Sequence, residues 1–513
     1  MPEDPSPGPL EETAEAISEA VSSPDIYGLR QWSGWVLGPA MLAATLMLPA
    51  PAGLSAEGWH TAGVGGLMAV LWITEAIPIP VTALLPLILF PALQLSDIRE
   101  TAAPYANPII FLFLGGFIIA LAMQRWNLQR RVAITLIGAM GTRPTRIIAG
   151  FLTASALISM WVSNTATALM MLPIAASVVA LLPADARRTP ALRGFGAALL
   201  LSVAYGATTG GMATLIGTPP NALLAAYVNN VYHTDVGFAQ WMLLGVPVTL
   251  VTLAVVYLVL TRVSFHLGHE ELEGLKAMLA EERARLGRPS RGEKAVAVVF
   301  LMTALGWILQ PFVARAVPLV SDTTIAMAGA VALFLIPVDA RRGEFAMNWQ
   351  ATRGLPWDVL LLFGGGLSLA GNIERHGLSR YLGSFSSGLE GVPVIVTLCI
   401  VCFIILMLGE LTSNTATAAT FLPIAGATAI GLGQNPLLFL IPATLISSCS
   451  FMLPVGTPPN AIVFGSGLIT LPQMAKAGFI LDMVMIPIIV GLVLLLGPMV
   501  FDVQLNTVPA WVK

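Results

Sequence analysis

Two short sequences occur twice in this chain, and both set helix-breaking residues inside apolar stretches. Ser-Asn-Thr-Ala-Thr-Ala stands at Ser163 to Ala168 and again at Ser413 to Ala418, each copy followed by Leu-Pro-Ile-Ala, at Leu172 to Ala175 and Leu422 to Ala425. Gly-Thr-Pro-Pro-Asn-Ala stands at Gly217 to Ala222 and again at Gly456 to Ala461. Lipid offers no partner to an unpaired backbone group, so a helix interrupted at membrane depth must face a cavity enclosed by protein. Matching interruptions in two halves of a chain are the sequence pointer to a transporter's binding site.

Composition places these stretches in a bilayer. Of 513 residues 56% are hydrophobic and only 10% charged, and the mean hydropathy is +0.82, a balance that belongs to a polytopic membrane protein. A net charge of −3 gives nucleic acid no footing. Cys399 and Cys402 have the spacing of a redox or zinc pair, but no second pair or nearby histidine completes it, and with Cys449 they read as small buried side chains. Residues 1–30 are acidic and proline-rich and lack the basic start of a secretory signal. They read as a cytoplasmic tail, with a short surface helix over Leu10 to Val21.

A spanning helix needs about 20 apolar residues. Spans fall near 33–50, 60–78, 80–96, 107–124, 196–228, 239–264, 293–314, 322–338, 356–374, 435–465 and 476–502. Two further apolar stretches, 145–182 and 392–430, are too long for one crossing and carry Ser-Asn-Thr near the middle, which fits a re-entrant helical hairpin. With eleven spans, two hairpins and an inside N-terminus, twenty basic residues face the cytoplasm, Arg125, Arg130, Arg131 and Arg353 among them. Only Arg99, Arg315, Arg375, Arg380 and Lys513 fall outside. This obeys the positive-inside rule. Counting either hairpin as a single crossing would spoil the asymmetry.

The duplication extends beyond the motifs. Leu114-Gly115-Gly116 and Arg125 match Gly364-Gly365-Gly366 and Arg375 at the offset of 250 that relates Ser163 to Ser413. The chain therefore reads as an all-α polytopic membrane protein built on a repeat. The first span and first repeat occupy 31–264, a charged cytoplasmic connector 265–292, and the second repeat 293–513. Each repeat has an odd number of crossings, so the second is inverted, with the site near the midplane at their interface.

The motifs are uncharged and contain no lysine or arginine. Hydroxyls, amides and unwound carbonyls suit a monovalent cation, and the half-helices that follow begin with an end attractive to anions. An anionic substrate would be held by such helix ends, by side-chain donors and by co-bound cations. The donors are Asn164, Thr165, Asn414 and Thr415, followed by Thr218 and Thr457, with Pro458 beside them. Thr167 and Thr417 read as packing residues. Glu75 and Glu410 are acids at membrane depth, each read as pairing with backbone donors to hold a loop. Asp322, Asp358 and Glu374 fall at span ends, where water would cover them, and His233 and His376 fall in loops. An enzyme would need a base or metal ligands near Ser163 or Ser413, and neither is in sequence reach, so no enzymatic activity is expected.

Together the paired Ser-Asn-Thr motifs, the paired Gly-Thr-Pro-Pro-Asn motifs and Thr-Glu-Ala-Ile-Pro at Thr74 to Pro78 resemble the divalent anion/sodium symporter family, over nearly the whole chain from about residue 30. The resemblance implies a homodimer in a bacterial inner membrane, with lipid around a scaffold domain and a transport domain that moves like an elevator. It implies C4-dicarboxylates such as succinate, malate or fumarate as substrates, with citrate or sulfate in other branches, and Na⁺ as the coupling ion. By motif position, one cation site would use Ser159, Ser163, Asn164 and Gly217, and the other Gly409, Thr412, Asn414 and Gly456. Here the chain departs from the pattern. Gly409 stands where members usually carry threonine, and Thr412 where many carry a small apolar residue. The missing hydroxyl leaves Na⁺-independent exchange open beside Na⁺ symport.

Overall fold

A computed structural model describes residues 27–182, 190–268, 271–385, 388 and 391–512. The helix expected over Leu10 to Val21 lies outside them. Among the described residues the architecture is helical, with one two-stranded ribbon that pairs Pro337–Asp339 (β1) with Glu344–Phe345 (β2).

Helices α1 (Leu29–Met47) and α2 (Ala56–Thr74) pack along each other. Small residues make the approach possible: a Cβ on Gly38 would lie 2.9 Å from Leu67, and one on Gly63 would overlap Thr45. The single span expected at 80–96 is instead two short helices, α3 (Ile79–Thr82) and α4 (Pro86–Ala92). Pro80 and Pro86 each sit in a first turn, where a missing N–H costs nothing, so each starts a helix rather than continuing one.

The first half continues with α5 (Pro108–Arg125), α6 (Leu128–Met140), α7 (Pro144–Ser159), α8 (Asn164–Ala180), α9 (Pro190–Gly211), α10 (Pro219–Tyr232) and α11 (Phe238–Leu258). After α12 (Leu275–Leu286), α13 (Arg291–Ala316) and α14 (Asp322–Leu335), the order recurs. It runs through α15 (Trp357–Arg375), α16 (Leu378–Ser384), α17 (Val394–Gly409), α18 (Asn414–Gly431), α19 (Leu437–Ser447), α20 (Pro458–Gly465) and α21 (Leu471–Phe501). Both stretches read as hairpins are helix–turn–helix, α7–α8 and α17–α18. The spans at 196–228 and 435–465 are both broken, between α9 and α10 and between α19 and α20. Among the described residues, four helical stretches, Ile98–Arg125, Phe238–Ser264, Arg291–Ala316 and Leu471–Phe501, are long and apolar enough to cross a bilayer by length and composition. Leu301, Met302, Leu305 and Phe312 of α13 are exposed, as lipid-facing side chains would be.

Helices α6 and α16 were not anticipated. Arg130 and Arg131 make α6 read as a loop, yet its Ala133, Ile134 and Ile137 are buried. The connector docks there. Leu275 and Leu279 of α12 are buried, Arg130 pairs with Glu282 at 2.6 Å, and Arg131 pairs with Glu293 of α13. Nearby, the Thr142 hydroxyl donates to Glu271 at 2.8 Å, which, with Arg143 beyond it, holds that carboxyl below its ordinary range. The connector is thus tied to the first half rather than only solvated.

Hairpin α7–α8 is fixed from behind by α9. A Cβ on Gly210 would lie 2.2 Å from the Ala156 carbonyl oxygen, so the two backbones touch. Overpacking of this kind costs about 1–3 kcal/mol. Gly210→Ala is expected to lower the melting temperature of the purified protein, whereas Gly491→Ala on α21, with nothing within 4 Å of its Cβ, leaves it unchanged. Equal melting of both variants would show that this contact is not tight.

Candidate functional site

The first hairpin turns because α7 ends at Ser159 and Ser163 caps the next helix, accepting the Ala166 amide at 3.3 Å. In the turn Trp161 stacks on Phe238 and Trp307, at 6.2 and 6.4 Å between ring centroids. The second hairpin turns between Gly409 and Ser413, and the Thr412 hydroxyl lies 2.6 Å from that of Thr417.

The broken helices are held by the asparagine that ends each Gly-Thr-Pro-Pro-Asn. Asn221 donates from its amide to the carbonyls of Gly211, Met212 and Thr214 at 3.2, 3.3 and 2.8 Å. Asn460 donates to those of Ser450 and Leu453, both at 3.0 Å. These carbonyls lost their helical partners at the break, and a buried orphan costs about 1–3 kcal/mol. The two prolines after each Thr take the first helical positions of α10 and α20, where no N–H is required.

All four motifs line one cavity of about 710 Å³. Ser163, Asn164 and Thr165 face it from one tip, and Ser413, Asn414 and Thr415 from the other. Gly217 and Thr218 line it at one break; Gly456, Thr457 and Pro458 line it at the other. No lysine or arginine is among the lining residues. The cavity reaches past Phe117 and Leu121 of α5 to Gln124, Gly354 and Asp358, beside Arg125 and Arg353. Asp358, expected at a span end in water, is exposed at this rim. Glu75 also faces the cavity, from a left-handed position (φ 50°), paired with Arg30 at 3.2 Å.

The remaining candidates stand behind the tips. Ser159 is buried and donates to Asn164 Oδ1 at 2.6 Å. Gly409 is buried and does not line the cavity. The Thr412 hydroxyl is engaged, donating to the Leu408 carbonyl at 3.1 Å and meeting Thr417. Glu410 plays the loop-holding part expected of it, accepting the amides of Met452 and Leu453 at 3.0 and 2.8 Å. Glu75 differs, its carboxylate meeting a guanidinium instead of a backbone donor. Asp322 is not simply covered by water: it caps α11 by accepting the Phe238 amide at 2.8 Å.

Sequence reasoning missed Asp482, a lone acid within apolar α21 that is fully buried and accepts the Phe451 amide at 3.4 Å. It also missed Thr214, whose hydroxyl donates to the Met160 carbonyl at 2.6 Å and accepts the Gly217 amide at 3.0 Å, tying the first tip to the first break. The lone acid was a usable signal; Thr214 is one threonine among many and gave none. Among the described residues no cluster of histidine, cysteine or acidic side chains could hold a metal ion, and Cys399, Cys402 and Cys449 are unpaired thiols.

Comparison with known proteins follows the same lines. The profile of the sodium:sulfate symporter transmembrane region matches residues 29–503. A sodium-dependent dicarboxylate transporter of Staphylococcus saprophyticus, SdcS, is 40% identical over 487 residues, 94% of each chain. Its counterpart in Staphylococcus aureus is 38% identical over 488 residues, again 94% of each. Two solved structures share the fold at 13% identity. They are the YdaH transporter of Alcanivorax borkumensis (TM-score 0.56, covering 93% of this chain and 99% of that one) and MtrF of Neisseria gonorrhoeae (TM-score 0.55, 94% and 96%).

Proposed function

Because the chain belongs to the sodium:sulfate symporter family, we propose that it is a secondary transporter of C4-dicarboxylates, coupled to Na⁺ and working by elevator-like alternating access. The observation that carries this reading is the meeting of both uncharged tips and both helix breaks in one cavity without a basic side chain. Relatives named as sodium-dependent dicarboxylate transporters, aligned over almost their whole length, support the ion and the substrate class.

The chemistry runs from the helix ends. Four helices, α8, α10, α18 and α20, begin at this cavity. Each N-terminus carries roughly half a positive elementary charge, so together they offer about two. That suits a dianion. The prolines remove the first amides of α10 and α20, leaving the hairpin tips as the N–H donors and Thr218 and Thr457 as hydroxyl donors. The two proline-started ends fall short of that charge, and Na⁺ ions beside Asn164 and Asn414 make up the difference. Substrate affinity therefore depends on Na⁺, which is the physical basis of coupling.

The hairpins and broken helices move as one body against a scaffold that includes α5 and α15, in a homodimer embedded in lipid. The distribution of basic residues supports a cytoplasmic N-terminus, and with that orientation Arg125 and Arg353 lie inside and the cavity opens inward. The test is uptake of labelled succinate by proteoliposomes with external Na⁺ replaced by choline. Uptake falls to background on this account, whereas unchanged succinate counterflow without Na⁺ overturns the coupling and favours exchange.

A further inference from the structure

The two tip regions differ by an exchange of one hydroxyl for one glycine. In the first, the hydroxyl is on the hairpin: Ser159 donates to Asn164 Oδ1 at 2.6 Å. Across from it on the broken helix is Gly211, whose absent Cβ would lie 2.6 Å from that same Oδ1. The offset of 250 that relates the hairpins carries Ser159 to Gly409. The offset of 239 that relates Gly217 to Gly456 carries Gly211 to Ser450. Hydroxyl and glycine have traded places.

The geometry of the second region agrees. A Cβ built on Gly409 falls 3.3 Å from Ser450 Oγ, so the serine of the broken segment fills the space a hairpin side chain would take. Ser450 is buried, and its Oγ lies 3.3 Å from Asn414 Oδ1. The same amide atom of Asn414 stands 3.1 Å from the Ser447 carbonyl and 3.2 Å from the Gly456 carbonyl. With its oxygen inward, Asn414 gathers four oxygens that share a single hydroxyl proton, an arrangement that a small monovalent cation relieves. With its nitrogen inward, the orientation in which both ends of the amide find partners, its two N–H groups are shared among the same three acceptors and close the spot while no cation is there. Unwound carbonyls next to a helix end, completed by neutral oxygens, are what such cations take.

We propose that Ser450 supplies the second cation site with the hydroxyl oxygen that Gly409 withholds, alongside Asn414 and the carbonyls of Ser447 and Gly456. This rests on the Na⁺-coupled reading above, and it removes the main sequence argument for Na⁺-independent exchange. The reciprocal swap gives the test. Purified wild type, Ser450→Ala and the double variant Gly409→Ser/Ser450→Gly are compared in two readouts: the Na⁺ dependence of succinate uptake in proteoliposomes, and the Na⁺-induced rise in melting temperature in detergent. Ser450→Ala is expected to raise the half-saturating Na⁺ concentration at least tenfold, lower the apparent Na⁺ cooperativity and shrink the melting shift. The double variant, with the hydroxyl back on the hairpin as Ser159 has it, is expected to restore both. Wild-type Na⁺ dependence in Ser450→Ala, or a double variant as impaired as the single one, overturns the assignment. A wild type that ignores Na⁺ in both readouts instead overturns the symport reading beneath it.

Discussion

Asn164→Ala and Thr415→Ala are each expected to abolish dicarboxylate uptake while leaving the protein folded and membrane-inserted. Both side chains line the cavity, one at each hairpin tip. A hydrogen bond to a charged group is worth about 1.5–3 kcal/mol, and 1.4 kcal/mol is tenfold in affinity. Among the described residues no lysine or arginine lines the cavity to make up the loss. Asn164 also accepts the Ser159 hydroxyl, in what is proposed as the first cation region. Its variant should therefore lose Na⁺-dependent stabilisation as well, whereas Thr415→Ala should lose substrate affinity first. The check is succinate uptake at a concentration well below saturation, with size-exclusion profiles to establish folding. Wild-type uptake by both variants would mean that the substrate lies elsewhere.

Gly217→Ala is the second change with a large expected effect. A Cβ there would lie 2.5 Å from the Gly211 carbonyl oxygen and 2.9 Å from the Gly211 Cα, and backbone cannot swing aside as a side chain can. The two ends of the first break are in contact across this gap, and the Gly217 amide is held by Thr214 at 3.0 Å. Forcing them apart costs about 1–3 kcal/mol. Because the strain falls on the segment proposed to form the first cation region, roughly 5- to 150-fold of Na⁺ affinity is at stake. Gly465→Ala, at the end of α20 with open space around its Cβ, is the matched control. Na⁺-titrated uptake should collapse in the first variant and stay at the wild-type level in the second. Equal curves would show that the close approach at Gly217 is not needed.

Much of the fold was legible because its signals are local. The paired prolines after Gly-Thr mark breaks because they stand beside a close backbone approach, whereas single prolines such as Pro173, Pro247, Pro423 and Pro487 stay inside helices, and the duplicated motifs marked where the helix–turn–helix stretches turn. The same signal was underread at 80–96, where Pro80 and Pro86 each begin a helix of their own. Helix α6 was hidden because Arg130 and Arg131 look solvated until Glu282 and Glu293, from the connector and α13, arrive to pair with them. The lining residues of the site could be named from the motifs, since uncharged polar groups at membrane depth have few other uses. The residues behind them could not. Thr214, Asp482 and Ser450 act through contacts with segments tens of positions away, and of the three only Asp482, a lone acid in an apolar run, stands out in its immediate sequence. Gly409 shows the limit most clearly. Read alone it is a lost ligand, and only the packed structure brings Ser450 into the vacated space.

On the proposed function a dianion sits between the two hairpin tips, held by helix ends, amides, hydroxyls and Na⁺ rather than by a basic side chain. A density map of the protein determined with succinate, once in Na⁺ and once in choline, tests it most directly. Elongated density bridging Asn164–Thr165 and Asn414–Thr415 is expected in Na⁺ and none there in choline. Density against an arginine or lysine, or the same density in both salts, would contradict it.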